Sequence, residues 1–115
     1  MIENIQKVRE LLDKPELLCQ LAEECQELGQ AALKLRRAMT GTNPTPMTET
    51  DAWRNMMIEL ADVMGVLKVL QIPTDDSEIK SVQAYKMARW VRRIEEERQK
   101  QDRMEKLLHE TEGES

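Results

Sequence analysis

Ala52-Trp53-Arg54-Asn55-Met56-Met57-Ile58-Glu59-Leu60-Ala61-Asp62-Val63-Met64-Gly65-Val66-Leu67-Lys68-Val69-Leu70-Gln71-Ile72 is the most apolar run of the chain, and its reading decides the fold. Trp53, Met56, Met57, Leu60, Val63, Met64 and Leu67 recur at the three-and-four spacing of one helix face. Ile58, Val66, Val69 and Leu70 fall elsewhere around it. A helix apolar on most sides is central in its bundle or lies at a subunit interface. Glu59 and Asp62 interrupt the run three residues apart, which sets them on one narrow flank. Burying two bare carboxylates there is costly without partners, and a cation is the natural compensation.

The rest of the chain agrees with a helical protein. Leu, Met, Ala, Glu, Lys, Arg and Gln dominate the 115 residues, and all of them favour helix. Alternating runs of Val, Ile, Thr and Tyr are missing, aromatics amount to 3%, and there is no Phe, so the expected class is all-α. Helices are expected at about 3–12, 15–40, 49–71 and 75–108, forming a four-helix bundle within one domain over residues 1–110, with a disordered tail at 111–115. Asp13-Lys14-Pro15 separates the first two helices, with Pro15 suited to a first helical turn. Gly41 suits a helix C-cap, Thr48 an N-cap, and Thr74 caps the last helix after the break at Ile72-Pro73. The long connection from Thr40 to Met47, including Asn43, is a candidate lid.

The second helix carries a matching acidic pair. Leu17, Leu18, Leu21, Cys25, Leu28, Ala32, Leu35 and Met39 form its apolar stripe. At about 100° per residue, Glu24 lies about 60° and Glu27 about 120° from the stripe's centre, on the same side. Glu23 falls on the solvent face, and Lys34 projects from the side of Glu27. If this helix packs antiparallel on the 49–71 helix, Glu24, Glu27, Glu59 and Asp62 converge. Four carboxylates with no His or Cys cluster beside them suit a hard cation, Mg²⁺ or alternatively Mn²⁺. The lone His109 lies in the tail, and Cys19 and Cys25 point to different sides of one helix, so neither a thiolate site nor an internal disulfide is expected.

Mg²⁺ held by carboxylates keeps water and binds phosphates. Lys86, Arg89 and Arg93, at i, i+3 and i+7 of the last helix, offer a basic strip for such a ligand, against the alternative of ordinary surface cations paired with Glu95, Glu96 and Glu97. A net charge of −5 argues against nucleic acid as the main ligand. Free thiols, a charged N-terminal stretch and the lack of any run of membrane-spanning length lead to the expectation of a cytoplasmic protein with no membrane partner. The apolar 49–71 helix implies a homodimer or homotetramer.

Glu23-Glu24-Cys25-Gln26-Glu27, followed by Glu59-Leu60-Ala61-Asp62-Val63-Met64, resembles the EExxE…ExxD signature of the all-α nucleoside triphosphate pyrophosphohydrolases, the MazG-like superfamily. That superfamily includes dCTP pyrophosphatases, dimeric dUTPases and phosphoribosyl-ATP pyrophosphohydrolases. Lys86-Met87-Ala88-Arg89-Trp90-Val91-Arg92-Arg93 is similar to its K-M-x-x-N-x-x-R segment, with Trp90 where the family often has Asn. The gap between the two acidic motifs is at the family's long end. The resemblance covers about residues 15–94. It implies a MazG-like bundle in which Glu24, Glu27, Glu59 and Asp62 bind Mg²⁺ and Lys86 and Arg93 contact phosphates. It also implies hydrolysis of a nucleoside triphosphate to monophosphate and pyrophosphate, with Glu24 or Glu27 orienting or deprotonating the water. Lys34 is a further candidate phosphate contact. Trp53 is a candidate base-stacking residue, although its stripe position also suits core packing, and Asn55 is a candidate reader of the base edge. Two other readings stand beside this one: a phosphoribosyl-ATP substrate, and a helical dimerisation or interaction protein without catalysis.

Overall fold

A computed structural model describes residues 1–42 and 47–113. It contains four helices: α1 (Ile2–Leu11), α2 (Lys14–Thr40), α3 (Glu49–Val69) and α4 (Ser77–Gly113). Of the described residues 87% are helical and none lies in a strand, which establishes the all-α class. Asn43, assigned above to a lid, lies with residues 44–46 outside the described residues.

Local chemistry sets the helix ends. The Asp13 carboxylate accepts a hydrogen bond from the Glu16 backbone N–H at 2.9 Å and caps α2, with Pro15 in its first turn. Gly41, at φ 66°, ends α2 in the left-handed conformation that costs glycine nothing. Thr48 Oγ1 accepts from the Asp51 N–H at 3.1 Å and caps α3. The end of α3 is less comfortable. Ile72 N–H reaches back to Leu67 O at 3.0 Å, which places Gln71 at φ 58°, a left-handed position held by a residue with a Cβ.

α4 departs from expectation at both ends. It begins at Ser77, and Asp76 rather than Thr74 supplies the side-chain acceptor, taking the Glu78 N–H at 3.3 Å. It also continues through Thr111 to Gly113, past the expected end at 108. No Gly or Pro interrupts it earlier, and the Thr111 hydroxyl donates back to Leu107 O at 2.8 Å.

The chain divides into two compact units, Met1–Ile72 and Pro73–Ser115. In the first unit α2 and α3 form the main packing pair and α1 packs on α3. The pair is antiparallel: Leu35 and Met39 of α2 share a small cavity with Glu49, Thr50 and Trp53 of α3, whereas Leu17 lies near Ala61 to Val69. Along α2 the positions that lose solvent contact include Leu17, Leu21, Glu24, Leu28, Ala31, Leu35 and Ala38, with Gln20 and Arg37 beside them. Along α3 they include Ala52, Met56, Glu59, Val63, Val66 and Leu70, with Asn55, Leu60, Leu67 and Val69 beside them. Both series alternate steps of four and three, the seam spacing of paired helices. α1 is fixed at the far end by Arg9, whose Nε donates to Val69 O at 2.7 Å and whose guanidinium also donates to Lys68 O at 2.9 Å, a cation on the C-terminal carbonyls of α3.

The seam is narrower than the stripes read from the sequence. Leu17, Ala31, Leu35, Ala52 and Val63 are buried, while Leu18, Cys25, Ala32, Met39, Trp53, Met57 and Met64 stay exposed. Small residues at Ala31 and Ala52 bring the backbones together, and one helix-to-helix contact covers only part of a wide apolar arc. Trp53 is 52% exposed, so the packing role suggested by its stripe position does not hold. The second unit contains α4, none of whose residues is buried.

Candidate metal centre

The seam explains why these four acids meet. Glu24 and Glu59 each occupy a seam position, one on α2 and one on α3, and each is half-buried. Glu27 and Asp62 come three residues later on the same helices, at the edge of the seam, and are exposed. Antiparallel pairing brings the two pairs to one level. A carboxylate oxygen from each of Glu24, Glu27, Glu59 and Asp62 lies within 4.8 Å of the others. The convergence expected from helical spacing is therefore present in the first unit.

The electrostatics of the cluster are those of an under-compensated site. Glu24 Oε2 and Glu59 Oε2 are covered from solvent and have no hydrogen-bond partner. Covered anionic oxygens without a donor are unfavourable, and a cation would offset them. The carboxyl of Glu27 is held above its ordinary value by the neighbouring Glu24 charge first, then by desolvation, then by Glu59. A proton on Glu27 is thus one way the cluster lowers its repulsion. A divalent cation with an all-oxygen ligand set is the other, and the donor set fits Mg²⁺ or Mn²⁺.

The remaining candidates distribute as follows. Asn55 lies one turn before Glu59, on the same side of α3, and is half-buried. Lys34 is exposed on α2, two turns beyond Glu27 on the cluster's side. Trp53 does not join the site: it precedes Asp62 by nine residues, so the two leave α3 about 180° apart. It lines the small cavity with Leu35 and Met39 instead. Lys86, Arg89 and Arg93 are exposed on α4 and fall within about 60° of one another around it.

Two features escaped the sequence reading. Gln20 donates from Nε2 to Glu24 Oε1 at 2.8 Å. A cavity of about 650 Å³ opens beside Glu24 and Asp62, walled by Ile5 and Val8 of α1, Leu12 just after it, Leu17 of α2 and Val66 and Val69 of α3. The i, i+4 spacing of Gln20 and Glu24 was a visible signal for the first. The second depends on the docking of α1, which no local pattern encodes.

Comparison with protein-family models, with curated proteins and with solved structures finds no match to this chain. No helix among the described residues is long and apolar enough to cross a membrane.

Proposed function

We propose that the chain is a Mg²⁺-dependent nucleoside triphosphate pyrophosphohydrolase of the MazG-like type, converting a nucleoside triphosphate and water to the monophosphate and pyrophosphate. The observation that carries this reading is the four-carboxylate cluster with two covered oxygens that lack partners. A divalent cation held by Glu24, Glu27, Glu59 and Asp62 supplies neutralisation of charge on phosphate oxygens and acidifies nearby water. Glu27, the more solvent-accessible of the two acids on α2, is suited to accept the proton of the attacking water. Glu24, tied to Gln20, is better suited to hold position. Lys34 and Asn55, on the cluster's side of the hairpin, are candidates for the polyphosphate and the organic group. The phosphate role of Lys86, Arg89 and Arg93 rests on their charge and spacing along α4.

A homo-oligomer belongs to the same proposal. The flank opposite the acids exposes Leu18, Cys25 and Met39 of α2 with Trp53 and Met57 of α3, apolar side chains that a second copy of the chain would cover. The exposed thiols of Cys19 and Cys25 fit a reducing compartment, as a cytoplasmic location would provide. The same flank favours the second reading, an interaction protein without catalysis.

A panel of standard and modified nucleoside triphosphates, with phosphoribosyl-ATP included, separates the two. The enzyme releases pyrophosphate from at least one of them with Mg²⁺ and from none with chelator. Its melting temperature also rises with Mg²⁺ or Mn²⁺, by selective binding to the native state worth about 2.7 kcal/mol at a hundredfold excess over Kd. No pyrophosphate from any compound, together with no metal-dependent shift, leaves the interaction protein.

A further inference from the structure

We infer that Gln20 is a positioning residue for Glu24, an uncharged donor that fixes one carboxylate oxygen so that the other is presented to a divalent cation. The inference rests on the metal reading of the acidic cluster and deepens it.

The geometry is local and specific. Gln20 and Glu24 are one turn apart on α2, and Gln20 Nε2 lies 2.8 Å from Glu24 Oε1 in a part-buried setting. An ionised carboxylate only accepts, so the amide nitrogen and not the amide oxygen must face it. The bond commits Oε1. Oε2 is then the oxygen that is covered and has no partner. One oxygen is tied and the other is left for a ligand, which is the arrangement a metal-binding carboxylate needs from its neighbours.

The residue type matters as much as the distance. A lysine or arginine at position 20 would also donate, but its charge would neutralise Glu24 and oppose an incoming cation. An amide orients the carboxylate and leaves its charge for the metal. The surrounding sequence follows the same rule: from Pro15 to Leu33 α2 holds Glu16, Glu23, Glu24 and Glu27 and no lysine or arginine. Gln20 also lines the cavity that opens beside Glu24 and Asp62. Ordering the Glu24 side chain before the cation arrives removes a cost that binding would otherwise carry.

The test is metal affinity of the full chain, with fold measured separately. Mn²⁺ binding to the wild type, Gln20→Met and Gln20→Leu is titrated by the loss of the free-ion electron paramagnetic resonance signal. Melting temperatures are taken in chelator. Removing a hydrogen bond to a metal ligand typically weakens binding by about 10–100-fold, and that loss is expected in both variants with the chelator melting temperature unchanged. Variants that bind Mn²⁺ within about threefold of the wild type overturn the role of Gln20 and leave the metal site standing. So does an affinity loss accompanied by an equal loss of stability in chelator, because Gln20 then serves the fold. A wild type that binds no Mn²⁺ ends the metal reading itself, and this inference with it.

Discussion

The α2–α3 hairpin carries two flanks that use the same helical period in opposite ways. Cys25 and Glu27, two residues apart, leave α2 about 160° from each other. Trp53 and Asp62 do the same on α3 at about 180°. One flank gathers Glu24, Glu27, Glu59 and Asp62 into a cluster whose oxygens lie within 4.8 Å of one another. The other leaves apolar side chains such as Leu18, Trp53 and Met57 in solvent. Each flank is unfavourable for an isolated chain, the first because like charges crowd and two oxygens are covered, the second because apolar area meets water. The difference teaches which partner each side requires. An acidic flank calls for a cation, and an apolar flank calls for another apolar surface.

The sharpest way to break this pairing of flank and partner is Glu59→Gln. Glu59 sits at the seam with a covered, unpartnered oxygen and, unlike Glu24, has no hydrogen bond from a neighbouring amide to hold it. The substitution is expected to abolish pyrophosphate release and the Mg²⁺-dependent rise in melting temperature, while the chelator melting temperature holds or rises. A variant that keeps the Mg²⁺ shift would mean the cation does not use this carboxylate. On the other flank, Met57→Lys places a charge on the exposed apolar side of α3. Light scattering is expected to show a fall from oligomer to monomer with Mn²⁺ affinity unchanged. A wild type that is already monomeric would remove the oligomer from the proposal.

How much of this was legible depends on whether the signal is local. The pairs Glu24/Glu27 and Glu59/Asp62 are written at helical spacing in apolar helices, and their meeting follows once the helices are taken as antiparallel. Caps at Asp13, Gly41 and Thr48 were equally visible, because capping depends on a few neighbouring residues. The burial pattern was not. Both stripes are wide, and sequence cannot say which part of a wide arc forms the seam. Helical angles alone therefore set Glu24 beside the stripe when it lies in the seam itself, and leave Trp53 between base stacking and core packing when it is half in solvent. The cavity walled by α1 depends on Arg9 reaching the carbonyls of Lys68 and Val69, a contact across about sixty residues that no periodicity announces.

The scaffold beneath both flanks gives smaller expected effects. Thr48→Ala removes the acceptor for the Asp51 N–H and is expected to cost about 1 kcal/mol in denaturant melts, through the helix that carries both flanks. Gln71→Gly should move the other way. Gln71 occupies a left-handed backbone position, and glycine there relieves about 1 kcal/mol of local strain. If Gln71→Gly is neutral or destabilising, the side chain of Gln71 makes a contact that outweighs the backbone preference.

The subtlest test concerns the proton that stands in for the cation. The Glu27 carboxyl is raised above 4.5, mainly by Glu24, so the folded chain takes up a proton at a higher pH than the unfolded chain does. The sign follows from linkage: the stabilisation is fully present below 4.5 and is lost as pH rises through the folded value. Without metal, the melting temperature should therefore rise as pH falls from neutral towards the carboxylate range. Glu27→Gln removes both the repulsion and the titration, so its chelator melting temperature at neutral pH should slightly exceed that of the wild type and its pH slope should flatten. Glu27 is exposed, which keeps the effect small. Saturating Mg²⁺ should reverse the wild-type slope, since a cation favours the ionised cluster that a proton would otherwise neutralise. A Glu27→Gln variant with the wild-type slope would assign the titration elsewhere, and an unreversed slope in Mg²⁺ would separate the proton from the cation and place them at different groups.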